Sequence, residues 1–234
     1  MLSPTTKKPQ PAAAAVLRAK PLSRRVLAAA LGCFCLSAPA LAQTAPLSLT
    51  PADQTLISQV ETYLNAEKGL TANFLQVADD GSTRTGKAWL ERPGKMRFEY
   101  DPPDPQLLVA GFGVLTYYDP QLGQTSNIPL SSTPLGILLA KHVDLTSAGV
   151  AVTAISREPG EDDITLVRKG KESEGTLTLV FATDPLELRQ WVVTDAQGHQ
   201  TRVSLYDVMP GGPYPDSLFQ FSAPGNNSNF NSGG

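Results

Sequence analysis

Residues 85–100, TGKAWLERPGKMRFEY, decide how the chain is read. Successive side chains of a strand point to opposite faces. Over 85–92, Ala88 and Leu90 share one face while Lys87 and Glu91 take the other. Over 96–100, Met96, Phe98 and Tyr100 share a face, with Arg97 and Glu99 opposed. Arg92-Pro93-Gly94 between them has the composition of a hairpin turn, so the stretch predicts two antiparallel strands with one apolar face. Arg92 breaks the pattern. It falls on the parity of Ala88 and Leu90, which puts a guanidinium on the apolar side at the strand's end. A guanidinium keeps its charge there and must be given acceptors.

Working outward, the same short-strand pattern recurs. Strands are expected at 71–77, 85–92, 96–100, 106–109, 114–119, 124–130, 164–168, 176–181, 190–194 and 201–206. Asp79-Asp80-Gly81 and Ala196-Gln197-Gly198 read as further hairpin turns, and Thr176-Leu177-Thr178-Leu179 alternates cleanly. Many short strands at near-regular spacing indicate a large antiparallel sheet or barrel. One helix precedes them. Thr50 is its N-cap, Pro51 its first residue, and Asp53 completes an acidic capping box. Leu56, Ile57, Val60, Tyr63 and Leu64 form an apolar stripe, and Gly69 is expected to end the helix. Residues 132–142, STPLGILLAKH, read as one or two helical turns, with Pro134 at the start. Leu135, Leu138 and Leu139 cluster there and Ile137 lies almost opposite, so the piece is apolar nearly all round. Such a piece is normally buried, and its shortness and Gly136 also suit a movable cover.

The first 42 residues have the layout of a secretory signal: Lys7, Lys8, Arg18, Lys20, Arg24 and Arg25, a short apolar core, and Ala40-Leu41-Ala42 as cleavage site. Ser23-Arg24-Arg25 also hints at twin-arginine export, against the general secretory route as default. Cleavage after Ala42 would place the domain, 43–224, in the periplasm, with 225–234 as a disordered tail. All six charges of the leader are positive, which leaves 13 of the 19 Lys+Arg against 22 Asp+Glu, a net charge of −9. That acidity argues against nucleic acid and anionic lipid as electrostatic partners. Cys33 and Cys35 leave with the leader, so disulfides and thiol chemistry are not expected. Ala30-Leu31-Gly32-Cys33 approximates a lipoprotein cleavage box, which would instead anchor the chain through Cys33.

Little in the chain suggests catalysis. His142 and His199 are far apart and read as structural, and no zinc-binding or phosphate-binding motif is present. No cofactor is expected, and the chain is expected not to be an enzyme. Phe74, Ala88, Leu90, Met96, Phe98 and Tyr100 together make a large apolar interior, which a packed barrel core would also explain.

Phe74-x-Gln76, Gly86 to Pro93, Met96-Arg97-Phe98-x-Tyr100, Leu108-Val109, Tyr117-Tyr118-Asp119 and Gln124 together resemble the LolA family of periplasmic outer-membrane lipoprotein carriers. So do Thr133-Pro134-Leu135 with Leu138-Leu139, and Asp195-x-x-Gly198 through Leu205-Tyr206 to Phe219-x-Phe221-x-x-Pro224. The resemblance implies a mainly β fold, an incomplete, unclosed antiparallel barrel covered by helices. It implies an acyl cavity lined by Phe74, Ala88, Leu90, Met96, Phe98 and Tyr100, under a lid of Pro134, Leu135, Ile137, Leu138 and Leu139. Arg92 would be the latch, bonded to backbone carbonyls of 132–142 or of the first helix. The implied partners are acylated lipoproteins, an inner-membrane ATP-driven release complex, and an outer-membrane acceptor or the membrane itself, met by a monomer. A lipid-anchored acceptor of related fold, a periplasmic lipid-sensing domain and, more remotely, an acyl hydrolase stand as alternatives.

Overall fold

The computed structural model describes residues 47–103 and 105–222; the expected leader with Cys33, the cleavage point after Ala42, and the tail 225–234 lie outside them. Helix α1 spans Pro51–Ala66 and begins with the expected capping box. The Asp53 N–H donates to Thr50 Oγ1 at 3.2 Å, and the Thr50 N–H to Asp53 Oδ2 at 2.9 Å. Its end corrects the expectation at Gly69. Glu67 is already extended, and Gly69 opens the first strand. Glycine is needed there for a close approach: a Cβ would lie 2.5 Å from the Gly211 carbonyl oxygen, and the Gly211 N–H donates to the Gly69 carbonyl at 2.9 Å.

The strands are β1 (Gly69–Val77), β2 (Thr83–Glu91), β3 (Lys95–Tyr100), β4 (Leu107–Gly111), β5 (Val114–Asp119) and β6 (Gln124–Pro129). After helix α2 (Leu135–Leu138) come β7 (Val150–Glu158), β8 (Glu161–Arg168), β9 (Thr176–Thr183), β10 (Leu186–Thr194) and β11 (Gln200–Pro210). They form one antiparallel 11-stranded sheet in the order β6-β5-β4-β3-β2-β1-β11-β10-β9-β8-β7. The sheet stays open, because β6 and β7 are its two edges and do not pair. Of these strands, β7 is absent from the sequence reading. A register shift between Val152 and Ala154 inserts Thr153, so Ala151 and Val152 are both buried and the alternation that marks a strand is lost.

Open does not mean flat. Phe98 on β3 and Trp191 on β10 stand four strand spacings apart in the sheet order, about 19 Å on a flat sheet. Their ring centroids lie 6.0 Å apart. The sheet is therefore rolled, with these rings on its inner face. Gly86 lets the floor pack: it pairs with both Phe74 and Tyr100, and a Cβ there would lie 2.7 Å from the Phe74 ring. Glycine beneath aromatic neighbours is a known way to bend and fill a sheet.

Helix α1 closes part of the roll with Leu56, Ile57, Val60 and Leu64, and Tyr63 meets Phe181 of β9 edge-on at 6.0 Å. The chain after α2 is tied to α1. Asn65 Nδ2 donates to the Val143 carbonyl and the Val143 N–H to Asn65 Oδ1, each at 2.9 Å. The Leu145 N–H donates to Glu61 Oε1 at 2.7 Å. Residues 211–222 cross the outer side of the sheet, where Phe219 is buried and the Tyr214 N–H donates to Glu91 Oε2 at 2.6 Å.

Candidate functional site

Parity places the residues of 85–100 as the sequence reading expects. Ala88 and Leu90 on β2, and Met96, Phe98 and Tyr100 on β3, are buried on the inner face, with Phe74 of β1 among them. Phe74 packs against Phe98 at 4.7 Å and Tyr100 at 5.1 Å between centroids. The Tyr100 hydroxyl donates to Gln76 Oε1 at 2.7 Å, and burial pushes its pKa upward.

These six residues do different jobs. Met96 and Phe98 line a partly open, mostly apolar cavity of about 180 Å³, with Leu108, Leu135, Trp191, Val193 and Val203. Leu90 borders a separate void of about 30 Å³. Phe74, Ala88 and Tyr100 form the packed floor beside them. Most of the lining that the sequence reading did not name comes from β10 and β11, with Gln76 of β1 and Leu108 of β4 the rest. Trp191 and Val203 were findable, since they alternate along strands that were expected, as Leu177 and Leu179 do on β9.

The cover segment has about one helical turn, within the one or two expected. A single tight turn, Leu130–Ser132, leads to Thr133, Pro134 and the four residues of α2. Pro134, Leu135, Ile137, Leu138 and Leu139 are all buried. They face different ways: Leu135 reaches the cavity, Leu138 and Leu139 border the small void, and Ile137 lines a groove on the far side.

Arg92 stands at the seam. Its Nη2 donates to the Glu67 carbonyl, which caps α1, and its N–H to the Lys68 carbonyl at 2.8 Å. Of the two expected acceptor sets the guanidinium takes that of the first helix. The link to 132–142 is made by its turn, where the Gly94 N–H donates to the Leu139 carbonyl at 2.8 Å. Glu91 and Glu99 are engaged elsewhere, with Lys95 and Arg97 at 2.7 Å each. Buried Nη1 has no hydrogen-bond partner among the described residues, and burial pulls the Arg92 pKa below the usual arginine value. The histidines are peripheral: His142 is exposed on the groove's rim, and His199 sits 3.3 Å from Asp195 in a turn.

A rolled, unclosed β-sheet with an apolar interior under a short helical cover is the class of protein defined here. The chain belongs to the LolA family: the family model described as "Outer membrane lipoprotein carrier protein LolA" matches residues 65–222. The outer-membrane lipoprotein carrier protein of Chromohalobacter salexigens is 31% identical, covering 79% of this chain and 91% of its own. That of Methylococcus capsulatus is 30% identical over 74% and 86% respectively. A solved LolA superfamily protein, NE2245 from Nitrosomonas europaea, is 11% identical with a TM-score of 0.35, covering 70% of this chain and 97% of its own.

Proposed function

We propose that the chain is a periplasmic carrier that holds the acyl chains of lipoproteins against the inner face of its rolled sheet. It would shuttle them from the inner to the outer membrane. The observation that carries this reading is an apolar interior under a short helical cover, in a member of a family named for lipoprotein carriage. Acyl chains need such a place, since each CH₂ in water costs ~0.8 kcal/mol.

The cavity, about 180 Å³, suits a benzene-sized guest and falls below the ~300–1,000 Å³ of ordinary ligand sites. The closed arrangement is therefore the unloaded one, and several acyl chains enter only by displacing the cover and α1's stripe. Closure hides apolar surface that a soluble protein cannot leave open. A guest that binds only the open form shifts the population toward it. One charged hydrogen bond, ~1.5–3 kcal/mol, lets Arg92 bias closure without locking it. Loading would be driven by an inner-membrane ATP-driven release complex, and cargo received by an outer-membrane acceptor or the membrane itself.

The test is native mass spectrometry of the mature protein after incubation with spheroplasts. A one-to-one complex with a triacylated lipoprotein is expected. Apo protein alone, while an apolar dye still enters, would overturn the reading in favour of a sensor of smaller lipids.

A further inference from the structure

Strand β8 repeats the feature that singles out β2. Ile164 and Leu166 are fully buried on the inner face, and Arg168 follows on the same parity at the strand's end. Its guanidinium crosses to the segment that follows β6. Strands β6 and β8 are nine spacings apart in the sheet order, about 43 Å if flat, so this contact spans the mouth of the roll. Nη1 donates to the Ser131 carbonyl. Nη2 lies over Gly136, where a Cβ would collide with it and come within 2.8 Å of the Leu130 carbonyl oxygen. Glu174 Oε2 lies 3.9 Å from Nη1. The glycine that weakens α2 as a helix is thus the seat of an arginine.

We propose that Arg168 is a second positioning residue for the cover. It fixes the leading end at Ser131 and Gly136, while the Arg92-Pro93-Gly94 turn holds the trailing end at Leu139. A helix of four residues cannot hold itself in water, so its place is set by what grips its ends. The inference rests on the carrier reading only for what the opening serves; the tether is a property of the unloaded protein.

Hydrogen exchange on the ligand-free mature protein tests it. In Arg168→Gln, the amides of Gly136, Ile137 and Leu139 should exchange about tenfold faster, with α1 and β2 unchanged. Arg168→Lys, which keeps a charged donor, should recover most of the protection. Gly136→Ala separates the tether from helix propensity. Alanine alone would favour the helix by about 1 kcal/mol and slow exchange, whereas eviction of the guanidinium speeds it. Adding Arg168→Gln to Gly136→Ala should then change nothing more. Unchanged protection over 130–139 in Arg168→Gln, loss of protection across the whole sheet, or slower exchange in Gly136→Ala would each overturn the proposal. Lipoprotein binding is scored separately. A tether that behaves as stated in a protein that never takes lipoprotein would sink the carrier reading and leave this one standing.

Discussion

Ala88-x-Leu90-x-Arg92 on β2 and Ile164-x-Leu166-x-Arg168 on β8 are the same device in two settings. Each runs two buried apolar residues into an arginine, and each guanidinium ends on a backbone carbonyl of the covering segments. The surroundings differ. Arg92 lies among Tyr63, Leu64, Leu138, Leu139 and Leu188 and forms no ion pair among the described residues. Arg168 keeps Glu174 beside it and borders a groove shared with Lys169 and Lys171. A hydrogen bond made out of water is worth more, and its loss leaves more unpaired, than one made near solvent. On the reading proposed above, the pair would work unequally: Arg92 would hold the seam between β2 and α1, and Arg168 the leading end of the cover.

The largest effect tests the packed floor of the inner face. Phe74→Ala should cost about 3–5 kcal/mol in urea unfolding, because its ring, from β1, lies over Gly86 of β2 and packs on Phe98 and Tyr100 of β3. A loss below about 1 kcal/mol would mean that face is not the packed support of the comparison. Next, Arg92→Leu should keep the fold but raise apolar-dye uptake about ten- to a hundredfold, and alter the balance between loading and release. Combined with Arg168→Gln the increases should multiply, since the two act on different carbonyls. Transfer of cargo at the wild-type level by Arg92→Leu would remove Arg92 as latch.

Salt gives a smaller contrast. Between about 0.1 and 1 M salt the effect of Arg168→Gln should shrink more than that of Arg92→Leu, because its hydrogen bond is the more exposed of the two. Glu174→Gln should change cover exchange by no more than about twofold, since at 3.9 Å Glu174 Oε2 is too far from Arg168 Nη1 to accept a hydrogen bond. Equal salt sensitivity would erase the distinction.

The smallest effect is in pH. Arginine side chains keep their charge in proteins, so the ratio of the two effects should be flat near neutrality. Glu91, one residue from Arg92, does titrate. Burial works against its charge, but bonds from Lys95 Nζ and the Tyr214 N–H outweigh that and hold its carboxyl below the usual value. A folded pKa below the unfolded one, about 4.3, gives stability that is complete above it and lost as pH falls through the folded value. Melts from about pH 7 to pH 3 should show this loss, and Glu91→Gln should reduce it, leaving the shares of Asp53, Asp80, Glu172 and Asp195, whose carboxyls are also held low.

Much of this was legible because strands write their faces into the sequence with a period of two. The parity of 85–100 named the inner face, and the position of Arg92 on it demanded an acceptor. The same argument applied to 164–168 would have found Arg168, whose role needed only the question to be asked of every strand. Where the period broke, the reading broke: the shift at Thr153 hid β7. At Gly69 one residue type admits two explanations, a helix end or a close backbone approach, and local sequence cannot choose between them.

By itself the sequence determined the antiparallel strands, the inward parity, the capped first helix and the apolar cover, because each follows from neighbours within a few residues. Only the tertiary structure decided which carbonyl each arginine takes, that Gly136 seats Arg168, and that β10 and β11 supply the far wall of the cavity. These contacts join strands far apart in the chain, brought together by the roll of the sheet. That roll sums small twists over the whole sheet and is recorded at no single residue.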